Sequence, residues 1–220
     1  MKQLFLPVDE EFLSKSTEFF VTKCNEEAYN FLITQYDPTN IPFNRIVLCG
    51  EVSSGKSRLA KIWLSDTRGL YLNCRSDSLD VRVDKKYTKV VVDNYELADE
   101  KELLHIINRC IDNNIIILLT TFSKVRCKLP DLQSRLNSAY QIQIQGPDGA
   151  IVLLMLQEMF FINKIRVGSS VIDFIKNHIY FDNFRKLLGF KLQLQRACED
   201  NRMTLNINTL KHIYDNWNRV

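Results

Sequence analysis

Eight consecutive residues, Gly50-Glu51-Val52-Ser53-Ser54-Gly55-Lys56-Ser57, follow the pattern glycine, any four residues, glycine, lysine, serine or threonine. That spacing suits one kind of chemistry. The glycines let a short loop wrap until its backbone N–H groups face phosphate oxygens. The helix expected next, opening at Arg58, aims its positive end at the same oxygens. Lys56 would neutralise the β and γ oxygens of ATP, or the β oxygens of ADP, and Ser57 would ligate Mg²⁺. Further on, Lys89-Val90-Val91-Val92-Asp93-Asn94 is an apolar strand ending in a carboxylate. Asp93 is placed to serve the magnesium side through water. Asn94 stands where many phosphate-loop ATPases carry a second carboxylate, and an amide cannot take a proton. Tight nucleotide binding with slow intrinsic turnover follows. Glu96 is the next carboxylate, and its spacing does not place it beside the γ-phosphate.

These residues need a sheet to hold them. Five runs rich in Val, Ile, Leu and Tyr read as strands: residues 45–49, 70–74, 89–92, 115–121 and 140–145. Between them lie apolar residues at helical spacing, such as Leu103, Ile106, Ile107 and Cys110 after the acidic start Asp99-Glu100. Strand and helix in alternation predict an α/β base with a five-stranded, mostly parallel sheet. Four strands are continuously apolar, as expected where both faces are covered, whereas Gln141-Ile142-Gln143-Ile144-Gln145 alternates and belongs at an edge. After Gly146-Pro147 no strand is expected. Residues 148–164, 169–178, 182–199 and 207–217 read as a small all-helical lid. The domains are therefore 1–15 as a leading peptide and tether, 16–146 as the α/β base and 147–220 as the lid.

Composition narrows the class. With 29 basic and 26 acidic residues the net charge is +3, and 45% of the 220 residues are hydrophobic, as in globular rather than disordered chains. The apolar stretches Ile115 to Leu119 and Ile151 to Leu156 fall short of the roughly 18 residues that a membrane span needs. The apolar start is too short for a secretory signal, so a cytoplasmic protein is expected. Six cysteines without a C-x-x-C pair read as buried thiols in a reducing compartment rather than metal ligands. The basic residues are spread along the chain and form no nucleic-acid patch.

The phosphate loop, the Val-Val-Val-Asp-Asn strand, Leu129-Pro130-Asp131-Leu132-Gln133-Ser134-Arg135-Leu136 and Phe184-Arg185-Lys186-Leu187-Leu188 occur in a telling order. With Phe20 to Asn25 leading into the first helix, the chain resembles the AAA+ module of the DnaA family of replication initiators, and most closely its shortened Hda branch. The resemblance spans almost the whole chain. It implies that Arg135 is an arginine finger completing the ATP site of a neighbouring protein, the initiator DnaA. It also implies that Arg185 is the lid arginine sensing the γ-phosphate of the chain's own nucleotide. The sensor expected after the fourth strand falls on Thr120 or Thr121, where Phe122 departs from the family pattern. Gln3-Leu4-Phe5-Leu6-Pro7 looks like the peptide by which bacterial proteins dock on the DNA sliding clamp. The chain stops at Val220, after the fourth lid helix, so direct sequence-specific DNA binding is not expected; a homodimer stays open as an option. Two rivals remain: a helicase-loader-like relative that tethers replication proteins, and a phosphate-loop kinase for a small molecule.

Overall fold

A computed structural model describes residues 19–35, 37, 39, 41–65, 68–200 and 204–217. The clamp-like peptide Gln3 to Pro7 lies outside the described residues. The chain divides into two compact units. Residues 25–145 form an α/β unit, and residues 146–217 form a helical unit together with the segment ending at Cys24. The α/β unit thus starts at Asn25, where the sequence had suggested residue 16.

The α/β unit is built on five parallel strands: β1 (Arg45–Gly50), β2 (Gly69–Asn73), β3 (Lys89–Asp93), β4 (Ile116–Thr121) and β5 (Tyr140–Ile144). Their order in the sheet is β2-β3-β4-β1-β5. Every neighbouring pair is parallel, with Val47 opposite Leu119 and Val90 opposite Ile117. The apolar runs of β3 and β4 are inside because both faces are covered. On one face Val47, Val90, Val92, Ile117 and Leu119 meet Leu103, Ile106, Ile107 and Cys110 of α3 (Glu100–Asp112) and Leu132 and Leu136 of α4 (Pro130–Asn137). Helix α2 (Lys56–Leu64) contacts β1 to β4 and buries Leu59, Ala60 and Trp63. The short α1 (Glu26–Tyr29) runs into a wider π turn, Asn30–Thr34. Strand β5 is an edge strand, and its Ile142 and Ile144 face inward while Gln141 and Gln143 are exposed. The alternation in the sequence therefore located it.

Helix α3 starts where its chemistry says it should: the Asp99 carboxylate accepts the N–H groups of Lys101 and Glu102 at 2.9 and 3.1 Å. The helical unit contains α5 (Gly149–Ile162), α6 (Ser169–His178), α7 (Phe184–Asp200) and α8 (Ile207–Trp217). One expectation fails here. Arg166–Val167 (β6) pairs in parallel with Thr204–Leu205 (β7), so the helical unit does contain strands. Two-residue strands are too short to leave a periodic signal. Among the described residues no helix is long and apolar enough to cross a membrane, and no disulfide joins the cysteines.

Candidate nucleotide site and arginine cleft

Gly50 is the last residue of β1, and the loop turns from it into α2. The turn uses two left-handed residues, Ser53 at φ 69° and Gly55 at φ 93°. Gly55 is the N-cap of α2, a place where an L side chain would be strained. Gly50 is required for a different reason: a Cβ there would stand 2.9 Å from Ser54 Oγ and 3.0 Å from Ile144 Cβ. Both glycines hold the loop tight against the end of the sheet.

Lys56, 7% exposed, donates from Nζ to the carbonyls of Gly50 and Glu51, each at 2.7 Å. Its charge therefore sits inside the curl of the loop. Burial lowers its pKa, while the negative charges of Glu96 and then Asp93 pull it back up. Ser54 Oγ is buried without a hydrogen-bond partner, as is Glu51 Oε2. A buried hydroxyl left unpaired costs free energy, and a phosphate oxygen is a partner that would relieve it. The loop, the lysine and this orphaned donor fit a nucleotide's phosphates.

Asp93 ends β3 and is 1% exposed. One carboxylate oxygen accepts Tyr71 Oη at 2.7 Å and the other accepts Thr120 Oγ1. The Tyr71 hydroxyl also meets Ser57, and burial followed by Asp93 raises its pKa far above the ordinary range. Tyr71 thus links the two groups expected on the magnesium side. Among the described residues no cluster of three or more His, Cys, Asp or Glu side chains is arranged for a metal. One hydroxyl and one carboxylate suit an ion that keeps most of its waters, as Mg²⁺ does.

Asn94 sits at φ 58°, donates from Nδ2 to Asn73 Oδ1 at 3.2 Å and from its N–H to Thr120 Oγ1 at 3.0 Å. Of the two sensor candidates, Thr120 is engaged with Asp93 and Asn94, and Thr121 donates to the Ser123 carbonyl at 2.8 Å. Phe122 is exposed. Glu96, which spacing did not place at the loop, is brought there by the turn Tyr95–Leu97: its charge acts on Lys56, Cys49 and Cys74, and its Oε2 is buried and unpaired.

Arg135 lies elsewhere. It falls in the last turn of α4, just before β5 starts beside Ile46, and it lines a cleft of about 650 Å³ with Arg45, the first residue of β1. The phosphate loop is at the other end of that strand, and five steps of about 3.3 Å along its six residues separate the two ends by roughly 17 Å. No arginine side chain spans that distance around a packed sheet.

No family model matches the chain. In an alignment that covers 80% of the chain, it is 27% identical to the chromosomal replication initiator protein DnaA of a Picosynechococcus species, and it spans 45% of that protein's length. Domain III of the Thermotoga maritima replication initiation protein DnaA superposes with a TM-score of 0.69 at 19% identity, over 90% of this chain and 94% of that one. The fold is the AAA+ fold of DnaA. AMPPCP-bound DnaA from Aquifex aeolicus gives a TM-score of 0.61 at 17% identity, over 84% of this chain and 67% of that one. A DnaA bound to AMPPCP and single-stranded DNA gives 0.60 at 17% identity, over 83% and 66%. In this DnaA-type fold Gly50 to Arg58, Asp93 and Asn94 gather at one end of the sheet. Arg185 is exposed in the first turn of α7, in the helical unit. Tyr71 and Asn73 escaped the sequence reading because they reach Asp93 and Asn94 only through the pairing of β2 with β3.

Proposed function

We propose that the chain is an Hda-like regulator of replication initiation. It binds ATP or ADP with Mg²⁺ in the loop from Gly50 to Ser57, docks on the sliding clamp through Gln3 to Pro7, and offers Arg135 to ATP held by DnaA. The observation that carries this reading is the position of Arg135. An arginine at the far end of the sheet from its own phosphate loop has no intramolecular nucleotide to serve, which supports a role in trans. A finger of this kind stabilises charge developing on the transferred phosphoryl group, with accelerations of roughly 10³ to 10⁵ in well-studied cases.

The chain's own nucleotide has a structural part in this scheme. Lys56 and the loop amides bind its phosphates, Ser57 and Asp93 hold the water-clad metal, and the exposed Arg185 is assigned to the γ-phosphate from the lid. The metal supplies neutralisation of phosphate charge. Asn94, bonded to Asn73 and unable to accept a proton, supports slow turnover. The DnaA-type fold, the sequence likeness to a DnaA and the AMPPCP bound by structural relatives all favour nucleotide binding. Such a protein works in the cytoplasm, brought to the nucleoid by the clamp.

The test is hydrolysis of ATP preloaded on the cognate initiator, with clamp loaded on DNA. Wild type stimulates, and both Arg135→Ala and a chain lacking residues 1–7 fail. Wild type that leaves the initiator's ATP intact while carrying its own nucleotide overturns the regulator and favours a loader-like tether.

A further inference from the structure

The cleft around Arg135 holds a second arginine that the reading above does not use. Arg45 is 5% exposed. Its guanidinium lies 5.0 Å from the ring centre of Phe43 and donates from Nη2 to Ser138 Oγ at 2.9 Å. Ser138 Oγ in turn donates to the carbonyl of Arg135 at 3.2 Å, tying the start of β1 to the end of α4. The Nε atoms of both Arg45 and Arg135 are buried and have no hydrogen-bond partner. Neither guanidinium has an ion-pair partner among the described residues. Asp131, exposed one turn before Arg135, lines the same cleft and pairs with neither.

Burying a guanidinium without a counter-charge is costly, and placing a second one beside it adds repulsion. Burial and then the Arg135 charge both lower the pKa of Arg45, so the two cations sense each other. Two planar forks with free donors in one cleft match a tetrahedral anion of more than one negative charge better than they match a single carboxylate.

We propose that Arg45 and Arg135 together hold the terminal phosphate of the nucleotide carried by the docked DnaA-type partner, with Arg45 as a second phosphate-binding residue. The source of the phosphate rests on the proposed function; the anion site rests on this chain's own side chains. Phe43, 69% exposed at the mouth of the cleft, supplies an apolar contact for the partner surface around that nucleotide.

The experiment reads thermal shift with inorganic tripolyphosphate in the full chain carrying Lys56→Ala, which disables its own phosphate loop. Tripolyphosphate raises Tm, and adding Arg45→Met or Arg135→Met raises the half-effective concentration about tenfold or more, the loss of at least one charge-assisted hydrogen bond. No response, or the same response without Arg45, overturns the site. Arg45→Lys keeps the charge in case the Met variant folds poorly, and it lowers stimulation of initiator ATP hydrolysis by about tenfold because lysine lacks the fork. Stimulation lost with Arg135→Ala but intact with Arg45→Lys and Arg45→Met retains the regulator and overturns the second arginine. Tripolyphosphate binding that needs both arginines, without any stimulation, supports the anion site and overturns the regulator.

Discussion

Tyr71→Phe removes the hydroxyl that joins Asp93 to Ser57 at the centre of the site. The hydroxyl donates to a carboxylate that is 1% exposed, across 2.7 Å. The ring keeps its place, since Lys61 Nζ lies 5.1 Å from its centre and phenylalanine preserves that face. The change therefore removes a donor and little packing. Hydrogen bonds to charged groups are worth about 1.5–3 kcal/mol, and Asp93 retains Thr120 as a partner, which places the loss near 2 kcal/mol. For a chain of 220 residues, about 2–4 °C per kcal/mol converts this to a fall in Tm of roughly 4–8 °C. Calorimetry on nucleotide-free protein measures it. With saturating magnesium nucleotide the fall shrinks, because water around the ion offers a replacement donor to the freed oxygen. A variant that melts with wild type refutes the idea that this bond holds Asp93. A fall of equal size with and without magnesium nucleotide refutes the assignment of Asp93 to the metal side.

Three further outcomes follow from the same geometry. Gly55→Ala forces an L residue to φ 93°, at a cost of about 1–2 kcal/mol; ATP affinity measured by calorimetric titration falls about tenfold, 1.4 kcal/mol being one decade. Glu96→Gln, which neutralises the carboxylate with the largest charge effect on Lys56, lowers the slow ATP turnover proposed above, whereas Asn94→Asp raises it in a phosphate-release assay. Burial holds the Lys56 pKa below its unfolded value, so between the two values the unfolded chain binds more protons and stability without nucleotide rises with pH. Urea midpoints climb as pH approaches the ordinary lysine range, and Lys56→Met flattens that climb.

The central strands were legible because burial on both faces leaves nothing polar in Val90-Val91-Val92 or Ile117-Leu118-Leu119, and β5 because one wet face leaves glutamine at every second position. The tight turn from Gly50 into α2 was legible because close backbone approach restricts residue types over eight consecutive positions. What lay hidden depends on register between distant segments. Tyr71 and Thr120 reach Asp93 from the two strands flanking β3, and no local pattern marks which polar tip of a strand will face a carboxylate on its neighbour. Arg45 and Ser138 are 93 residues apart, so the cleft they share with Arg135 has no footprint in either segment. Glu96 was missed for a smaller reason: the left-handed Asn94 and the tight turn after it bring back a side chain that an extended strand would have carried away.

The bond between the Cys24 N–H and Asp148 Oδ2, 3.0 Å long and 124 residues apart in the chain, bears on how the protein is made. The other oxygen of Asp148 caps its own helix through the Ile151 N–H at 2.7 Å. The α/β unit is continuous from Asn25 to Gln145, so it is complete on the ribosome before the helical unit has emerged. The segment ending at Cys24 is synthesised first yet waits longest: at about 5–20 residues per second, 124 residues take roughly 6–25 s. During that interval the nascent chain carries a folded α/β unit while the Cys24 N–H still lacks the Asp148 carboxylate that will pair with it.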